Sequence, residues 1–318
     1  MANDILVLAE HSGGKLADPT FELLGKAKEL AAATGGRAVV AVLGDASLTS
    51  QLGAADAVVT VEDDALAGYT AEGWERALNA VVDHVSPRLV LIANTTVGLD
   101  LAGALSVTWD APLVAYATGV TIDGGTVVAT AQVYGGKLLA EAELSGERGV
   151  VAVIAGSFPA DAGQGSGSPA VENVTAPAGD TRTSFLALIS PEAGDLDITT
   201  ADMLVSVGRG IGTQDNLELV QELADALGAP LASSRPITDQ GWLPKTRQVG
   251  KSGLKVKPKA YLTFGISGAP EHLEGMRDAE LIIACNTDEA APIFDVAHYG
   301  TTTDLFDLLP ALTDRVSG

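Results

Sequence analysis

Short apolar runs alternate with amphipathic stretches over the first third of the chain. The predicted strands are Ile5–Ala9, Ala38–Leu43, Ala57–Val61 and Leu89–Ala93. The predicted helices, in which apolar residues recur at helical spacing, are Pro19–Ala33, Ala71–Val85 and Leu99–Val107. An alternation of strand, crossover helix and strand predicts a parallel sheet covered by helices.

The pattern changes after residue 111, where short alternating runs are separated by glycine pairs. The predicted strands are Pro112–Val120, Thr126–Tyr134, Leu138–Leu144 and Val150–Ile154. Turns such as Asp123-Gly124-Gly125 favour hairpins, so antiparallel ribbons are expected at one edge of the sheet. The glycine-rich segment Gly163–Ser168 predicts a flexible loop. Val171–Val174 and Ser184–Leu188 are possible strands.

A second alternation begins near residue 199. Its predicted strands are Met203–Val207, Pro230–Ala232, Ala260–Phe264, Leu281–Cys285 and Ile293–Val296. Its predicted helices are Asn216–Leu227, Glu271–Met276 and Thr303–Asp314. We therefore predict an α/β protein of two domains. Residues 1–198 form a parallel sheet with antiparallel edge ribbons, and residues 199–318 form a Rossmann-like, doubly wound domain.

Composition narrows the functional classes. The chain has 318 residues, is 47% hydrophobic and carries a formal net charge of -22, which argues against nucleic acid as a general partner. No apolar run has the roughly 18 residues that a bilayer span requires. The single cysteine, Cys285, excludes an internal disulfide and a cysteine-built metal site. These features predict a soluble cytoplasmic protein that is not inserted in a membrane.

The stretch 231–272 is basic against this acidic background. Its basic residues are Arg235, Lys245, Arg247, Lys251, Lys255, Lys257 and Lys259. The alternation of the last three favours one solvated strand face. The excess of positive charge, together with small polar turns that follow most predicted strands, suggests a large anionic ligand at the carboxyl ends of the strands.

Each of these turns also has an ordinary interpretation. Gly208–Gly212 would need glycine at Thr213 to complete a dinucleotide fingerprint, and a tight turn with a solvated Arg209 explains it equally well. Ser267-Gly268-Ala269 could bind phosphate through backbone N–H groups, or could be a common capped turn. A lone Arg235 is often part of a surface salt bridge, and Gln248–Gly253 could be a simple hairpin turn. Their joint occurrence at successive strand ends favours the ligand.

Several segments resemble the alpha subunit of the electron-transfer flavoproteins. They are VSVGRG, DNLELV, GAPLASSRPITDQGWLP, QVGKSG, KPKAYLTFGISGAPEHLEGM, IIACNTDEAAPIFDVAHYG and DLFDLLP. The first domain is similar to the same family through weaker motifs. The resemblance implies FAD bound mainly by the second domain, and a beta subunit as partner that carries AMP. The flavin-binding positions it implies are Arg209, Ser234, Arg235, Gln248, Val249, Gly250, Lys251, Ser252, Ser267, Gly268, Ala269, Pro270, Glu271, His272, Asn286, Asp304 and Leu305.

The resemblance also implies roles for these residues. Arg235 would lie beside the isoalloxazine and favour its added negative charge, Ser252 would hydrogen-bond its N5, and His272 would donate to its O2 and N1 edge. The turns at Gly250 and Ser267–Ala269 would hold the pyrophosphate. Asn286, Asp304 and Leu305 would lie near the adenosine.

Three positions depart from the family pattern. The family usually has threonine at Ser252, often has glutamine at Lys251, and often has Ile-Gln at Pro270-Glu271. Lysine at position 251 is expected to raise the flavin potential, and Glu271 places an acid near the phosphates.

The activity implied is that of an electron carrier without a substrate of its own. It would accept single electrons from acyl-CoA dehydrogenases or similar flavoenzymes and pass them to a membrane quinone oxidoreductase. Two alternatives remain open at this stage, an NAD-dependent oxidoreductase on a similar sheet and a nucleotide-binding subunit that has lost its flavin.

Overall fold

The computed structural model describes residues 3–134, 136–176, 181–187 and 197–317. The chain divides into two compact units, Met1–Leu188 (unit 1) and Ile189–Gly318 (unit 2). The boundary predicted at residue 198 stays a prediction, because most residues next to the division lie outside the described ranges. No helix among the described residues is long and apolar enough to cross a membrane.

Unit 1 is built on one large sheet. Its strands are β1 (Ile5–Leu8), β2 (His11–Ser12), β3 (Lys15–Leu16), β4 (Ala38–Leu43), β5 (Ala57–Val61), β6 (Leu89–Ala93), β7 (Leu113–Asp123), β8 (Thr126–Val133), β9 (Leu138–Leu144), β10 (Gly149–Val153) and β11 (Ala170–Asn173). Its helices are α1 (Asp18–Thr34), α2 (Ala71–Val85) and α3 (Thr96–Thr108). Strands β2 and β3 form a separate short hairpin.

The strand order of this sheet is β11-β5-β4-β1-β6-β10-β7-β8-β9. Pairing is parallel from β11 to β7 and antiparallel from β7 through β8 to β9. The predicted parallel sheet with antiparallel edge ribbons is therefore confirmed. Strands β1, β4, β5, β6 and β10 are buried along their whole length, as expected for strands that helices cover on both faces.

Helix α2 shows how the amphipathic pattern produces this packing. Its buried face comprises Gly73, Trp74, Ala77, Leu78, Val81 and Val82, and most of it joins the core on one side of the sheet. Burying a large aliphatic side chain of this kind contributes roughly 1.5–3 kcal/mol. The other positions are mostly polar, with Ala71, Ala80 and Val85 as exceptions, so the helix has one apolar face and one that reaches solvent.

The glycine-rich segment after β10 is a loop whose residues 164–168 are exposed, and backbone contacts hold it in place. Its predicted flexibility stays a prediction. A Cβ on Gly163 would lie 1.9 Å from the carbonyl oxygen of Phe21. The backbone N–H of Gly167 donates to the carbonyl of Gly53 at 3.0 Å. Glycine is needed here for close approach of backbones. Val171–Val174 corresponds to β11, whereas 184–187 form no strand and Leu188 lies outside the described residues.

Unit 2 contains a smaller sheet. Its strands are β12 (Met203–Val207), β13 (Leu231–Ser233), β14 (Ala260–Phe264), β15 (Ile282–Cys285) and β16 (Tyr299–Thr301). Its helices are α4 (Leu217–Leu227), α5 (Arg235–Asp239), α6 (Pro270–Met276) and α7 (Leu305–Ser317). The strand order is β13-β12-β14-β15-β16 and every pair is parallel. In chain order this is 2-1-3-4-5, a doubly wound order that reverses between β12 and β14. The predicted Rossmann-like class is confirmed.

Two local predictions in unit 2 fail, and one helix was missed. The strand expected at Ile293–Val296 is a 3₁₀ turn, Pro292–Asp295, and the last strand is β16. Proline at the start of the turn cannot donate a ladder hydrogen bond. The short helix α5 was not predicted. The alternating lysines at 255–259 lie in an extended segment that pairs with no strand, although each lysine is exposed as expected.

Candidate functional site

The turns after β12 and β14 are pressed together where the strand order reverses. The backbone N–H of Gly208 donates to Phe264 at 2.9 Å, and that of Gly210 donates to Gly265 at 3.1 Å. A Cβ on Gly210 would lie 2.6 Å from the Gly265 Cα. Only glycine permits this approach, so these glycines shape the carboxyl edge of the sheet.

The same turn does not have the geometry of a dinucleotide fingerprint. Residues Arg209–Ile211 form a 3₁₀ turn, and α4 begins only at Leu217. The glycine fingerprint instead requires a helix that starts directly at the glycine turn. Arg209 is exposed at this turn and remains available to an anion.

The turn after β13 lies beside the turn after β12. The Ser234 N–H donates to the Val207 carbonyl at 3.0 Å, and Arg235 then begins α5. The Arg235 Nε donates to Asp239 at 3.1 Å, so this arginine does form the salt bridge that its ordinary interpretation expects. Both side chains are more than half exposed, at 66% and 52%. Such a pair contributes at most about 1 kcal/mol and leaves the guanidinium accessible to a ligand.

The loop 248–252 is fixed to both neighbouring turns. The Val249 N–H donates to the Ser233 carbonyl at 2.9 Å, and the Lys251 N–H donates to the Glu271 carbonyl at 2.7 Å. Gly250 has φ 137°, and a Cβ there would lie 2.7 Å from the Glu271 carbonyl oxygen. The loop is therefore held against the start of α6, with Lys251 exposed on its outer side.

Residues 267–269 form the turn between β14 and α6. Ser267 and Ala269 are exposed and Gly268 is buried, and within the described ranges no protein acceptor binds the backbone N–H of 267, 268 or 269. The Ser267 carbonyl accepts from Ile293 at 3.0 Å. Gly268 has φ 82°, and a Cβ there would lie 2.2 Å from the Ile293 nitrogen. The 3₁₀ turn that replaced the predicted strand thus supports this turn from behind.

His272 is 6% exposed and lies inside unit 2. Its Nδ1 is 3.1 Å from the Val249 carbonyl, and its Nε2 is 3.2 Å from the Tyr261 hydroxyl. A carbonyl only accepts, so Nδ1 carries the proton. Burial lowers the pKa of His272 to about 4, so the ring is neutral at physiological pH. The one proton of the neutral ring therefore faces Val249, so the predicted donation to a ligand does not fit this arrangement, and the place of His272 in the FAD site stays a prediction.

The remaining predicted positions lie at the ends of β15 and β16. Asn286 Nδ2 donates to the Ile266 carbonyl at 2.9 Å, which ties the β15 end to the β14 turn. Asp304 Oδ1 accepts from the Phe306 N–H at 2.9 Å at the start of α7. Asp304 is exposed and Leu305 is buried. Pro270 and Glu271 are exposed at the start of α6.

Several buried polar residues of the site were missed by the sequence analysis. Tyr261 and Ser206 are fully buried, with their hydroxyl oxygens 2.8 Å apart. Burial raises the pKa of Tyr261 above its ordinary value. Thr238 is buried next to Gln248. The available signal was a hydroxyl side chain at an inward position of an apolar strand, as Ser206 has in β12.

The exposed groups at this edge match a dinucleotide. Backbone N–H groups at 267–269, which bind no acceptor among the described residues, suit a pyrophosphate. The exposed cations Arg209, Arg235 and Lys251 lie on three of the converging turns and suit its negative charge. Ser252 is exposed on the same loop as Lys251.

Comparison with known proteins identifies the family. The electron transfer flavoprotein domain matches residues 5–179, and the electron transfer flavoprotein FAD-binding domain matches residues 197–277. The electron transfer flavoprotein subunit alpha of Methylophilus methylotrophus is 38% identical over 96% of this chain and 96% of its own. That of Syntrophomonas wolfei is 35% identical over 98% of both chains. Protein FixB of Azorhizobium caulinodans is 34% identical over 98% of this chain and 87% of its own.

These matches span both units and include the turns described above. Members of the family are electron carriers, and they are not enzymes with a substrate of their own. The FAD-binding match covers β12 to α6, where the exposed donors and cations converge. The chain belongs to the electron transfer flavoprotein alpha-subunit family, and its cofactor is FAD.

Proposed function

We propose that the chain accepts single electrons from acyl-CoA dehydrogenases or related flavoenzymes and delivers them to a membrane quinone oxidoreductase. The observation that carries the proposal is the convergence of four turns, each with an exposed donor or cation, in a chain of an electron-carrier family. The bound FAD supplies the redox chemistry. The protein's part is to hold the cofactor and to set its potential.

The site residues divide by the part of FAD that they would bind. The backbone N–H groups of 267–269 and the turn at Gly250 bind the pyrophosphate, with Arg209 and Lys251 supplying positive charge. Arg235 and the Ser252 hydroxyl lie against the isoalloxazine. Ser234, Val249, Gln248 and His272 hold these turns in place through the hydrogen bonds described above. The ends of β15 and β16, with Asn286, Asp304 and Leu305, bind the adenosine.

The proposed complex is a heterodimer with a beta subunit that carries AMP. Unit 1 offers a surface for it, because β9 is an edge strand of the sheet. Leu138 and Leu139 are exposed there at 57% and 65%. An exposed edge strand with apolar side chains promotes aggregation unless another chain covers it. We also propose that the complex acts in the cytoplasm, which is consistent with a chain that has a single cysteine.

Co-expression with the beta subunit tests this proposal. We expect a yellow complex with a flavin absorption spectrum, from which FAD and AMP are released on denaturation. An acyl-CoA and its dehydrogenase should then reduce the bound flavin in one-electron steps, and a quinone oxidoreductase should reoxidise it. A colourless protein that binds NAD would contradict the proposal and favour the oxidoreductase alternative.

A further inference from the structure

A buried chain of hydrogen bonds leads from Thr238 through Gln248 to Ser252. The Thr238 hydroxyl oxygen lies 2.6 Å from Gln248 Oε1, and Gln248 Nε2 donates to Ser252 Oγ at 3.0 Å. Thr238 is 7% exposed and Gln248 is 4% exposed. Burying an amide costs free energy unless both its ends are hydrogen-bonded, and here both are.

The chain has a direction, because the two ends of an amide are chemically distinct. The Gln248 oxygen only accepts and its NH₂ group only donates. The Thr238 hydroxyl donates to that oxygen at 2.6 Å, which is shorter than its 3.0 Å distance to the Arg235 carbonyl. The NH₂ group is thereby directed at Ser252. Since Ser252 Oγ accepts on its inner side, its own proton is left to point towards the exposed side of the loop.

We propose that Thr238 and Gln248 are positioning residues that make the Ser252 hydroxyl a hydrogen-bond donor to the bound isoalloxazine. The inference rests on the proposed function, in which Ser252 lies against the ring. Bound FAD would supply the one-electron chemistry, and Ser252 would keep its proton while donating a hydrogen bond to the ring. A donor fixed in this way would favour added negative charge on the acceptor atoms of the ring.

Measured potentials of the bound FAD test the proposal in the complex with the beta subunit. Gln248→Met keeps the side-chain length and removes the NH₂ donor, and Thr238→Val removes the hydroxyl that orients the amide. Each should lower the equilibrium constant for uptake of the first electron about tenfold, which is about 59 mV for a one-electron couple. Although Gln248 is among the flavin-binding positions that the family resemblance implies, FAD affinity should change less than about threefold, because the polar groups of both side chains are hydrogen-bonded to protein atoms.

Two control variants separate positioning from general damage. Thr238→Ser keeps the hydroxyl and should keep the parent potential. Gln240→Met makes the same side-chain change at an exposed glutamine, whose Nε2 donates only to the Pro236 carbonyl at 3.0 Å, and should also keep it.

A Ser252→Ala background supplies the decisive comparison. There Gln248→Met should cause no further fall in potential, because its effect passes through the missing hydroxyl. An unchanged potential in Gln248→Met, or an equal fall with and without Ser252, would overturn the inference. A parent complex that binds no FAD would instead overturn the proposed function.

A measurement on the flavin-free protein tests the proposal in variants that no longer bind FAD. In the flavin-free protein, the Gln248 side-chain NH₂ protons should exchange slowly with solvent by NMR. Exchange should stay slow in Thr238→Ser and become fast in Thr238→Val. Fast exchange in the parent would show that the amide is not held, and would overturn the proposal.

Discussion

The two units carry parallel sheets with the same kind of strand-order reversal, yet their carboxyl edges differ in how polar groups are satisfied. In unit 1 the order reverses between β1 and β6. Thr95 Oγ1 donates to Glu10 at 2.8 Å and accepts from the Gly98 N–H at 2.9 Å. A His11 ring nitrogen lies 2.7 Å from the Leu43 carbonyl. Polar groups at this edge therefore bind one another.

In unit 2 the corresponding edge presents backbone donors at 267–269 that bind no acceptor among the described residues, and it presents the exposed Ser252. Gln248 and His272, which are buried behind this edge, have partners that fix the turns, whereas the buried hydroxyls of Ser233 and Thr263 have none among the described residues. In unit 1, moreover, Glu10 places a carboxyl beside the start of α3, and burial raises the pKa of that carboxyl. Both folds provide such an edge, and the edge that takes an anionic cofactor is distinguished by exposed cations and by backbone donors that bind no acceptor among the described residues.

The largest expected effect comes from a glycine on which the unit 2 edge depends. Gly268→Ala would place a Cβ 2.2 Å from the Ile293 nitrogen at φ 82°. We expect a loss of about 3 kcal/mol in the free energy of unfolding of unit 2, and FAD binding weakened more than about tenfold. Gly124→Ala, at φ 53° with no atom within 4 Å in a unit 1 turn, should cost only about 1 kcal/mol and leave FAD bound. Equal effects of the two substitutions on stability and FAD binding would contradict the proposed difference between the two units.

The second prediction concerns pH and His272. The folded protein takes up a proton there only near pH 4, whereas the unfolded chain does so near 6.5. Protonation therefore favours unfolding, and stability that is present above pH 6.5 is lost as pH falls towards 4. Across this pH window the free energy of unfolding falls by about 3 kcal/mol. In His272→Gln, denaturant unfolding should show a smaller loss across this window. His84→Gln, at an exposed histidine of unit 1, is the control and should lose as much stability across this window as the parent protein does. The same loss in His272→Gln as in the parent would contradict the account.

Two arginines with similar ion pairs give the third prediction. Arg235 pairs with Asp239 at 3.1 Å in unit 2, and Arg37 pairs with Asp4 at 2.8 Å in unit 1. Arg235→Ala should lower the equilibrium constant for the first electron about tenfold, because a positive charge beside the flavin is lost. Arg37→Ala should leave the flavin potential unchanged. The flavin potential is measured by stepwise reduction. A potential in Arg235→Ala equal to that of the parent would show that Arg235 does not lie beside the flavin.

The smallest expected effect belongs to Lys251. Lys251→Gln should lower the flavin potential by a fraction of the Arg235 effect, since an exposed charge is screened by solvent and salt. The shift should shrink further at high ionic strength. Lys15→Gln, at an exposed lysine of unit 1, is the matched control. No fall in potential at low salt would reject the proposed effect of this lysine.

Prediction from the sequence succeeded where one local pattern determined the structure. Strands such as β4 and β14 were predicted to the residue, because apolar runs of strand length between polar turns leave few alternatives. It failed where tertiary contacts decide. Gly163 belongs to a glycine-rich segment, yet the Phe21 carbonyl lies against it. Residues 292–295 form a 3₁₀ turn in which the Ile293 N–H donates to the Ser267 carbonyl.

The candidate site was predictable only in part, for a similar reason. Exposed positions such as Arg235 and Ser267 are marked by charge or by a glycine turn. Thr238, Tyr261 and Ser206 carry no such mark, because their importance lies in partners that are distant in the sequence. Tyr261 and Ser206, for example, meet across neighbouring strands of the sheet. Single-sequence patterns do not reveal such pairs.

Hydrogen exchange of the complex with and without FAD tests the central claim most directly. If FAD binds at the carboxyl edge of the unit 2 sheet, backbone amides at 249–252 and 267–272 should become protected when the cofactor binds. Amides at 10–12 and 94–98, at the corresponding edge of unit 1, should be unchanged. Protection confined to the unit 1 edge, with the unit 2 turns unaffected, would contradict the account.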